Sequence, residues 1–145
     1  MKSVELDTET FSASLDWKQF EGLAEFAFKS FGFQTYKNHR IKKPRQEIDL
    51  LAVSNKLAFA VDCKHWKRTV GYSTMLRVAE RQIERCEILL ESGQFQKIVP
   101  VILTWRDERL VVLQNGVPIV PIHKLSSFIL NWDSSTDVRC ISKGE

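Results

Sequence analysis

The sequence predicts a three-layer α/β/α domain in which helices cover both faces of a central mixed β-sheet. Segments with helical spacing of apolar residues alternate with short apolar segments of strand character, in the order helix, three strands, helix, two or three strands, helix. Helices placed between strands favour a sheet that is covered on both sides. The chain of 145 residues, with a hydrophobic fraction of 43%, is long enough for one domain with a substantial core.

The predicted organisation is a polar lead-in over residues 1–14, a single domain over residues 15–133 and a polar tail over residues 134–145. The first residues include early acids and no apolar stretch, which argues against a signal peptide, and no apolar run is long enough to span a bilayer. The three cysteines are odd in number and widely spaced, which argues against a disulfide framework or a zinc site. We therefore expect a cytoplasmic protein.

The first helix is predicted to begin after Asp16, a favoured N-cap residue, and to end at Gly32. Helical spacing predicts a buried aromatic stripe, which consists of Trp17, Phe20, Ala24, Ala27, Phe28 and Phe31. Glu21 lies at the edge of this stripe, whereas Glu25 lies further round the helix and is expected to be more solvated.

Cationic side chains crowd the strand or extended arm predicted over residues 33–41 and the loop after it. They are Lys37, His39, Arg40, Lys42, Lys43 and Arg45, and a second basic cluster over residues 65–71 contains Lys67 and Arg68. Such runs are ordinarily solvated, and the functional alternative is an arm that contacts phosphates. Because the net charge is only +3, the distribution of charge decides the partner. The position of the arm directly before Asp49 favours the phosphate-contacting interpretation.

Residues 47–64 read as two apolar strands joined by a turn at residues 54–56. Side chains alternate along a strand, so Asp62 and Lys64 share the face on which the small Ala58 and Ala60 leave room. Asp49, on the neighbouring strand, is within reach of both across the hairpin.

The second half of the chain completes the layered pattern. A helix is predicted over residues 73–92, with Gln82 at the margin of a buried face that consists of Met75, Ala79, Ile83, Cys86 and Leu90. Arg77, Arg81 and Arg85 form a stripe on one flank, and for the last two the simpler explanation is pairing with neighbouring glutamates. Strands are predicted over residues 97–104, at an edge or an irregular position because of Pro100, and over residues 109–114 and 117–122, before a terminal helix over residues 123–132.

Charged groups in an apolar strand are costly to bury unless they pair or bind a metal. Asp49, Asp62 and the backbone carbonyl of Cys63 offer the hard oxygen ligands that Mg²⁺ takes, and Lys64 could position or polarise an attacking water. Glu21 could complete the ligand set through a water or a second ion, and Glu47, two residues before Asp49, is a lesser candidate. The simpler alternative is a partly buried ion pair of Asp62 with Lys64. The shared face, the alanines, the second aspartate and the basic flanks together favour a metal site for phosphodiester hydrolysis.

Three motifs resemble those of the PD-(D/E)xK nuclease superfamily, in particular Mrr-type restriction endonucleases and archaeal Holliday-junction resolvases. They are Phe20-Glu21, Glu47-Ile48-Asp49-Leu50 and Asp62-Cys63-Lys64. The resemblance covers about residues 17–90 and implies a restriction-endonuclease-like fold that cuts DNA with Mg²⁺, for which Mn²⁺ is a plausible substitute. It implies that Asp49 and Asp62 are the metal carboxylates, Lys64 the motif lysine and Glu21 the helix-borne acid. Gln82 falls where some branches carry a polar site residue.

Two positions depart from the pattern of that superfamily. Ile48 stands where a proline is typical, and Asp62 stands where the resolvases carry glutamate. Because aspartate is one methylene shorter than glutamate, the ion is expected to sit closer to the strand.

The leading hypothesis is a metal-dependent DNA endonuclease that acts through an activated water, with branched or modified DNA as candidate substrates. The alternative is a catalytically weak or inactive DNA-binding module on the same scaffold. A third hypothesis is an assembly subunit with an interface at Phe128, Ile129 and Trp132, although core filling is the simpler role for these residues. A homodimer is plausible, because cleavage of two strands requires two active sites or two binding events.

Overall fold

The computed structural model of the chain describes residues 17–42, 45–64, 66, 70–105, 109–134 and 136–143. In this part of the chain, no helix is long and apolar enough to cross a membrane. The helices are α1 (Trp17–Ser30), α2 (Tyr72–Leu90) and α3 (Leu125–Asn131), and 3₁₀ turns at Ile122–Lys124 and Trp132–Ser134 flank α3. The strands are β1 (Gln34–Ile41), β2 (Gln46–Ser54), β3 (Leu57–Lys64), β4 (Lys97–Thr104), β5 (Val111–Val112), β6 (Pro118–Pro121) and β7 (Ile141–Ser142).

All the described strands belong to one mixed sheet with the order β1-β2-β3-β4-β6-β5, and β7 also pairs with β4. The first three strands form an antiparallel meander, whereas β4 is parallel to β3 and to β6. The helix α2 connects β3 to the parallel β4, as a parallel connection requires. The predicted mixed sheet is therefore confirmed.

Helices cover both faces of this sheet. On one face, Phe28 of α1 and Phe128 of α3 pack around Phe59 of β3, with ring centroids 5.4 and 6.1 Å from that of Phe59. On the other face, Cys86 of α2 packs in a cluster that includes Ala60 of β3. These contacts confirm the three-layer α/β/α prediction, and they confirm that Phe128 fills the core.

The β2–β3 hairpin folds as its sequence predicts. Asn55 occupies the turn with a positive φ of 56°, a conformation that asparagine tolerates better than most residues. The register pairs Leu50 with Val61. Phe59 and Val61 face the α1 side, whereas Ala60 faces α2, which is the predicted alternation.

Several details of the prediction were wrong. Of the two alternatives for Pro100, the edge is wrong and the irregular position is confirmed, because Pro100 falls between the positions at which β7 and β6 pair with β4. That side of β4 has no strand partner at Pro100 among the described residues, so the missing N–H group is tolerated. The strand predicted over residues 109–114 is only Val111–Val112. Phe31 is 40% exposed and lies outside the aromatic stripe, since α1 ends at Ser30.

The predicted tail contributes to the fold. The Arg139 N–H donates a hydrogen bond of 2.8 Å to the Gly116 carbonyl, and β7 pairs with the start of β4. Ile141 packs against the cluster under α2. The sheet thus extends beyond residue 133, where the sequence placed the end of the domain. The lead-in, Asp16 and the side chain of Trp17 lie outside the described residues.

The buried face of α2 is centred on a polar residue. Its fully buried positions include Ala79, Gln82 and Cys86, and Gln82 has no exposed surface. The prediction that Gln82 lies at the margin of the buried face was wrong. An apolar pattern cannot show that a buried side-chain amide has hydrogen-bond partners.

Candidate active site

The candidate site lies where β2 and β3 separate. Their last backbone pair is Leu50 with Val61, and one residue further the Asp49 carboxylate accepts a 2.9 Å hydrogen bond from the Cys63 N–H. Asn38 stands opposite Asp49 in β1 and has a φ of 52°. At this irregularity the side chains of β2 change faces. Leu50 packs on the α1 side, whereas Ile48, two residues earlier, packs with the cluster under α2. The strands therefore open around Asp49.

Asp62 is buried at this opening, with only 8% of its side chain exposed. Its Oδ2 atom lies 3.4 Å from Lys64 Nζ and 3.9 Å from Arg85 Nη1. That oxygen accepts no hydrogen bond from the described residues. Nearby positive charge therefore offsets the carboxylate, but one buried oxygen retains its capacity to bind a further group.

The second carboxylate is close enough to affect the first. Burial, followed by the neighbouring Asp62 carboxyl, raises the pKa of Asp49 to about 6, against the opposing effects of the Cys63 N–H and Lys64. Two carboxylates that share a site resist simultaneous ionisation. A bound cation would relieve this repulsion.

Cys63 connects the two acids through its backbone. The N–H and C=O groups of one strand residue point to the same edge, so the Cys63 carbonyl faces the opening into which its N–H donates. Burial raises the pKa of the Cys63 thiol well above its ordinary value, and the charges of Asp49, Glu21 and Asp62 contribute in that order. Glu21, which is 7% exposed on α1, therefore lies within electrostatic reach of this strand end.

A groove of about 1150 Å³ opens above the two aspartates. Its walls consist of Arg40, Ile41, Lys42, Arg45, Gln46, Glu47, Asp49, Asp62, Cys63, Lys64 and Arg85. Five of these side chains are cationic and three are acidic, so the groove carries net positive charge. Three members of the predicted basic arm, Arg40, Lys42 and Arg45, line it.

The other predicted binding residues are placed differently. Lys37 lies 3.8 Å from Glu25 of α1 and does not line the groove. Glu25 is more exposed than the buried Glu21, as predicted. Glu47 lies in the groove wall, 4.0 Å from Arg40. Lys43, Lys67 and Arg68 lie outside the described residues.

The sequence did not indicate that Arg85 and Gln46 line the groove. The expected pairing of Arg85 with neighbouring glutamates was wrong, because Arg85 donates to Gln82 Oε1 at 2.9 Å and to Gln46 Oε1 at 3.3 Å. Gln82 in turn donates to the Ala60 carbonyl at 2.8 Å. The available signal was a glutamine within the apolar face of α2, with an arginine one turn later.

The donor set fits Mg²⁺ better than a metal with a closed protein cage. In the described residues, no group of three or more His, Cys, Asp or Glu side chains is arranged to hold an ion. Asp49 and Asp62 provide two carboxylates, and the Cys63 carbonyl faces the same opening. Mg²⁺ typically binds through one or two carboxylates and keeps several waters.

Comparison with known proteins places the chain in a family. A family model for the Mrr catalytic domain, described as a restriction endonuclease, matches residues 12–97, which is more than half of the chain. The chain belongs to the Mrr-type restriction endonuclease family. This is a family of nucleases within the PD-(D/E)xK superfamily, and the matched residues include both aspartates and Lys64.

No curated protein matches the chain. A solved structure titled "Crystal Structure of Protein of Unknown Function AF1548" is similar to it, with 26% identity and a TM-score of 0.46. The similarity covers 59% of this chain and 45% of that one, so the chain spans less than half of the solved protein.

Proposed function

We propose that this restriction endonuclease domain is a metal-dependent DNA endonuclease that hydrolyses phosphodiester bonds with an activated water. One observation carries the proposal. The carboxylates of Asp49 and Asp62 meet beside the Lys64 ammonium where β2 and β3 separate, at the floor of a groove with cationic walls. Hard acidic ligands beneath a phosphate-attracting surface suit phosphodiester hydrolysis.

Asp49, Asp62 and the Cys63 carbonyl would hold Mg²⁺, or Mn²⁺ in its place. When bound, such an ion lowers the pKa of water and offsets negative charge that develops at phosphorus. Glu21 would complete the ligand set through a water, which its electrostatic effect on Cys63 supports.

Lys64 has the most direct role of the protein cations in this proposal. Its Nζ atom lies 3.4 Å from Asp62 Oδ2, and 34% of its side chain is exposed. Asp62 thus holds the Lys64 ammonium at the groove floor, and the other N–H donors of Lys64 remain available to water or substrate. Lys64 would orient the attacking water and stabilise the charge of the transition state.

Arg40, Lys42 and Arg45 would contact phosphates along the groove. Such contacts position the duplex without reading its sequence, so binding should depend strongly on salt. Lys43, Lys67 and Arg68 belong to the same proposed surface by their place in the sequence. We leave Lys37 out of it, because Lys37 pairs with Glu25 and does not line the groove.

The test is cleavage of supercoiled, branched and single-stranded DNA with Mg²⁺ or Mn²⁺. Asp62→Asn and Lys64→Met should each reduce the cleavage rate by at least about a hundredfold, which is the usual scale for such groups. Glu25→Gln is the matched control, because this acid lies on α1 and does not line the groove. Equal cleavage by the wild type and both site variants would refute the assignment. Sedimentation with and without DNA would test the homodimer that double-strand cleavage suggests.

One observation favours the second candidate, a DNA-binding module with little catalysis. Lys64 and Arg85 already offset the charge of Asp62 without a metal. Calorimetric titration with Mg²⁺ separates the two candidates: tight DNA binding with no ion-dependent heat and no nicking would favour the module.

A further inference from the structure

We infer that Arg85 binds a phosphate group of the nucleic acid backbone next to the acid pair, and that Gln46 and Gln82 position its guanidinium for this contact. The inference rests on the proposed function, since it assumes that nucleic acid enters the groove. It adds a binding residue from α2 that neither the acidic motifs nor the basic arm includes.

The contacts of Arg85 are unusual for an arginine with a structural role. Its two hydrogen bonds to described residues go to neutral amide oxygens, from Nε to Gln46 and from Nη1 to Gln82. A buried arginine that only stabilises a fold typically forms a bidentate pair with a carboxylate. The nearest Asp62 oxygen is 3.9 Å away, too far for a hydrogen bond, and it lies closer to Lys64. Arg85 therefore lies close enough to offset the charge of Asp62, but this acid takes none of its N–H donors.

The same contacts fix the direction of the guanidinium. Gln82 has no exposed surface and is itself anchored to the Ala60 carbonyl in β3, so the acceptor for Nη1 is part of the rigid core. Gln46 holds Nε from the start of β2. An arginine has five N–H groups in a fixed fork, and the described residues use two of them. The side chain remains 21% exposed and lines the groove, which leaves donors for an anion.

A phosphate is the anion that fits this position. The guanidinium fork matches two phosphate oxygens, and a positioned fork loses little side-chain entropy when it binds them. The neighbouring groove residues Arg40, Lys42 and Arg45 are cationic as well, so Arg85 would extend a phosphate-binding surface down to the acid pair.

The experiment measures binding of a fluorescent DNA duplex in EDTA by anisotropy, over a range of salt concentrations. Arg85→Met should lower affinity by about tenfold and reduce the salt slope by about one, as expected when one phosphate contact is lost. Arg81→Met is the matched control, because it removes the same charge from an exposed position one turn earlier on α2, and it should leave the slope unchanged. Arg85→Lys should retain the slope.

Two further variants test positioning. Gln46→Ala removes the acceptor for Nε but retains the charge, so it should weaken affinity by about two- to fivefold with the slope retained. This variant also keeps the inference testable if Arg85→Met fails to fold. Equal slopes for the wild type and Arg85→Met, or equal losses for Arg85→Met and Arg81→Met, would overturn the inference. Because binding is measured without metal, the two proposals fail in different ways. A chain that binds DNA through Arg85 but does not cleave it would refute only the proposed function. A chain that cleaves DNA, with the same salt slope for Arg85→Met as for the wild type, would refute only this inference.

Discussion

Asp49→Asn should make the protein more stable at neutral pH, although Asp49 belongs to the proposed site. Burial and the nearby Asp62 raise the pKa of Asp49 from 3.8 to about 6, so its ionised form is disfavoured in the folded state. Asparagine carries no charge, and its side-chain oxygen can still accept the hydrogen bond from the Cys63 N–H. The variant thus removes the repulsion and retains the contact.

The sign of the pH dependence follows from proton binding. Between pH 3.8 and about 6, the folded state binds more protons at Asp49 than the unfolded state, so stability falls as pH rises through this window. The full shift corresponds to about 3 kcal/mol at neutral pH. Because the carboxyl is only half-buried, solvent screening reduces this, and we expect a gain of about 1–1.5 kcal/mol for Asp49→Asn.

The assay is urea unfolding in EDTA at pH 3.5 and at pH 7.5, followed by circular dichroism. The difference between Asp49→Asn and the wild type should be near zero at pH 3.5 and reach its full value at pH 7.5. Glu47→Gln is the control, because this acid lies on the same strand but is 47% exposed, and its change should stay within about 0.5 kcal/mol. A wild type that is more stable than Asp49→Asn at pH 7.5, or a difference that does not vary with pH, would contradict the reasoning.

Four other outcomes are expected. Calorimetry should show Mg²⁺ affinity falling about tenfold from pH 7 to pH 5, because Asp49, with a pKa of about 6, must ionise to bind the ion. Lys64→Met should lose cleavage at least about a hundredfold, while filter binding in EDTA shows DNA affinity within a few-fold of the wild type. Thr104→Val should raise the free energy of unfolding by about 1 kcal/mol, because the buried Thr104 hydroxyl has no hydrogen-bond partner among the described residues. Asn55→Ala should lower it by about 1 kcal/mol and Asn55→Gly should not, because φ is positive at this turn residue.

Strand alternation made the central part of the structure predictable from sequence. The period of two separates Phe59 from Ala60 and places Asp62 and Lys64 on one face, and the structure shows both. The turn at Asn55 sets the hairpin register, and that register brings Asp49 opposite the pair. Strand alternation and hairpin register depend on neighbouring residues, so the short stretch from β2 to β3 is enough to predict both.

The contacts that were missed join elements far apart in the chain. Arg85 meets Gln46 over a separation of 39 residues, and only its place one turn after Gln82 distinguishes Arg85 in sequence from the exposed Arg81. Lys37 and Arg40 look alike in the basic run, but Lys37 lies beside Glu25 of α1 and Arg40 lines the groove. The sequence left Pro100 between an edge and an irregular position, because the choice depends on where two other strands end.

The irregularity at Asn38 and Asp49 connects the fold to the proposed chemistry. A regular ladder between β2 and β3 would continue past Leu50 and would bond the Cys63 N–H and carbonyl to backbone groups of β2. Here a side chain replaces the backbone as the acceptor for the N–H, and the carbonyl on the same edge is left facing the opening. The position at which β2 and β3 lose their pairing is therefore the position of the oxygen atoms that the proposal assigns as metal ligands. Asp49 ends the ladder and is one of the ligands in the proposed site, so in this proposal the local stability that it costs and the site come from the same residue.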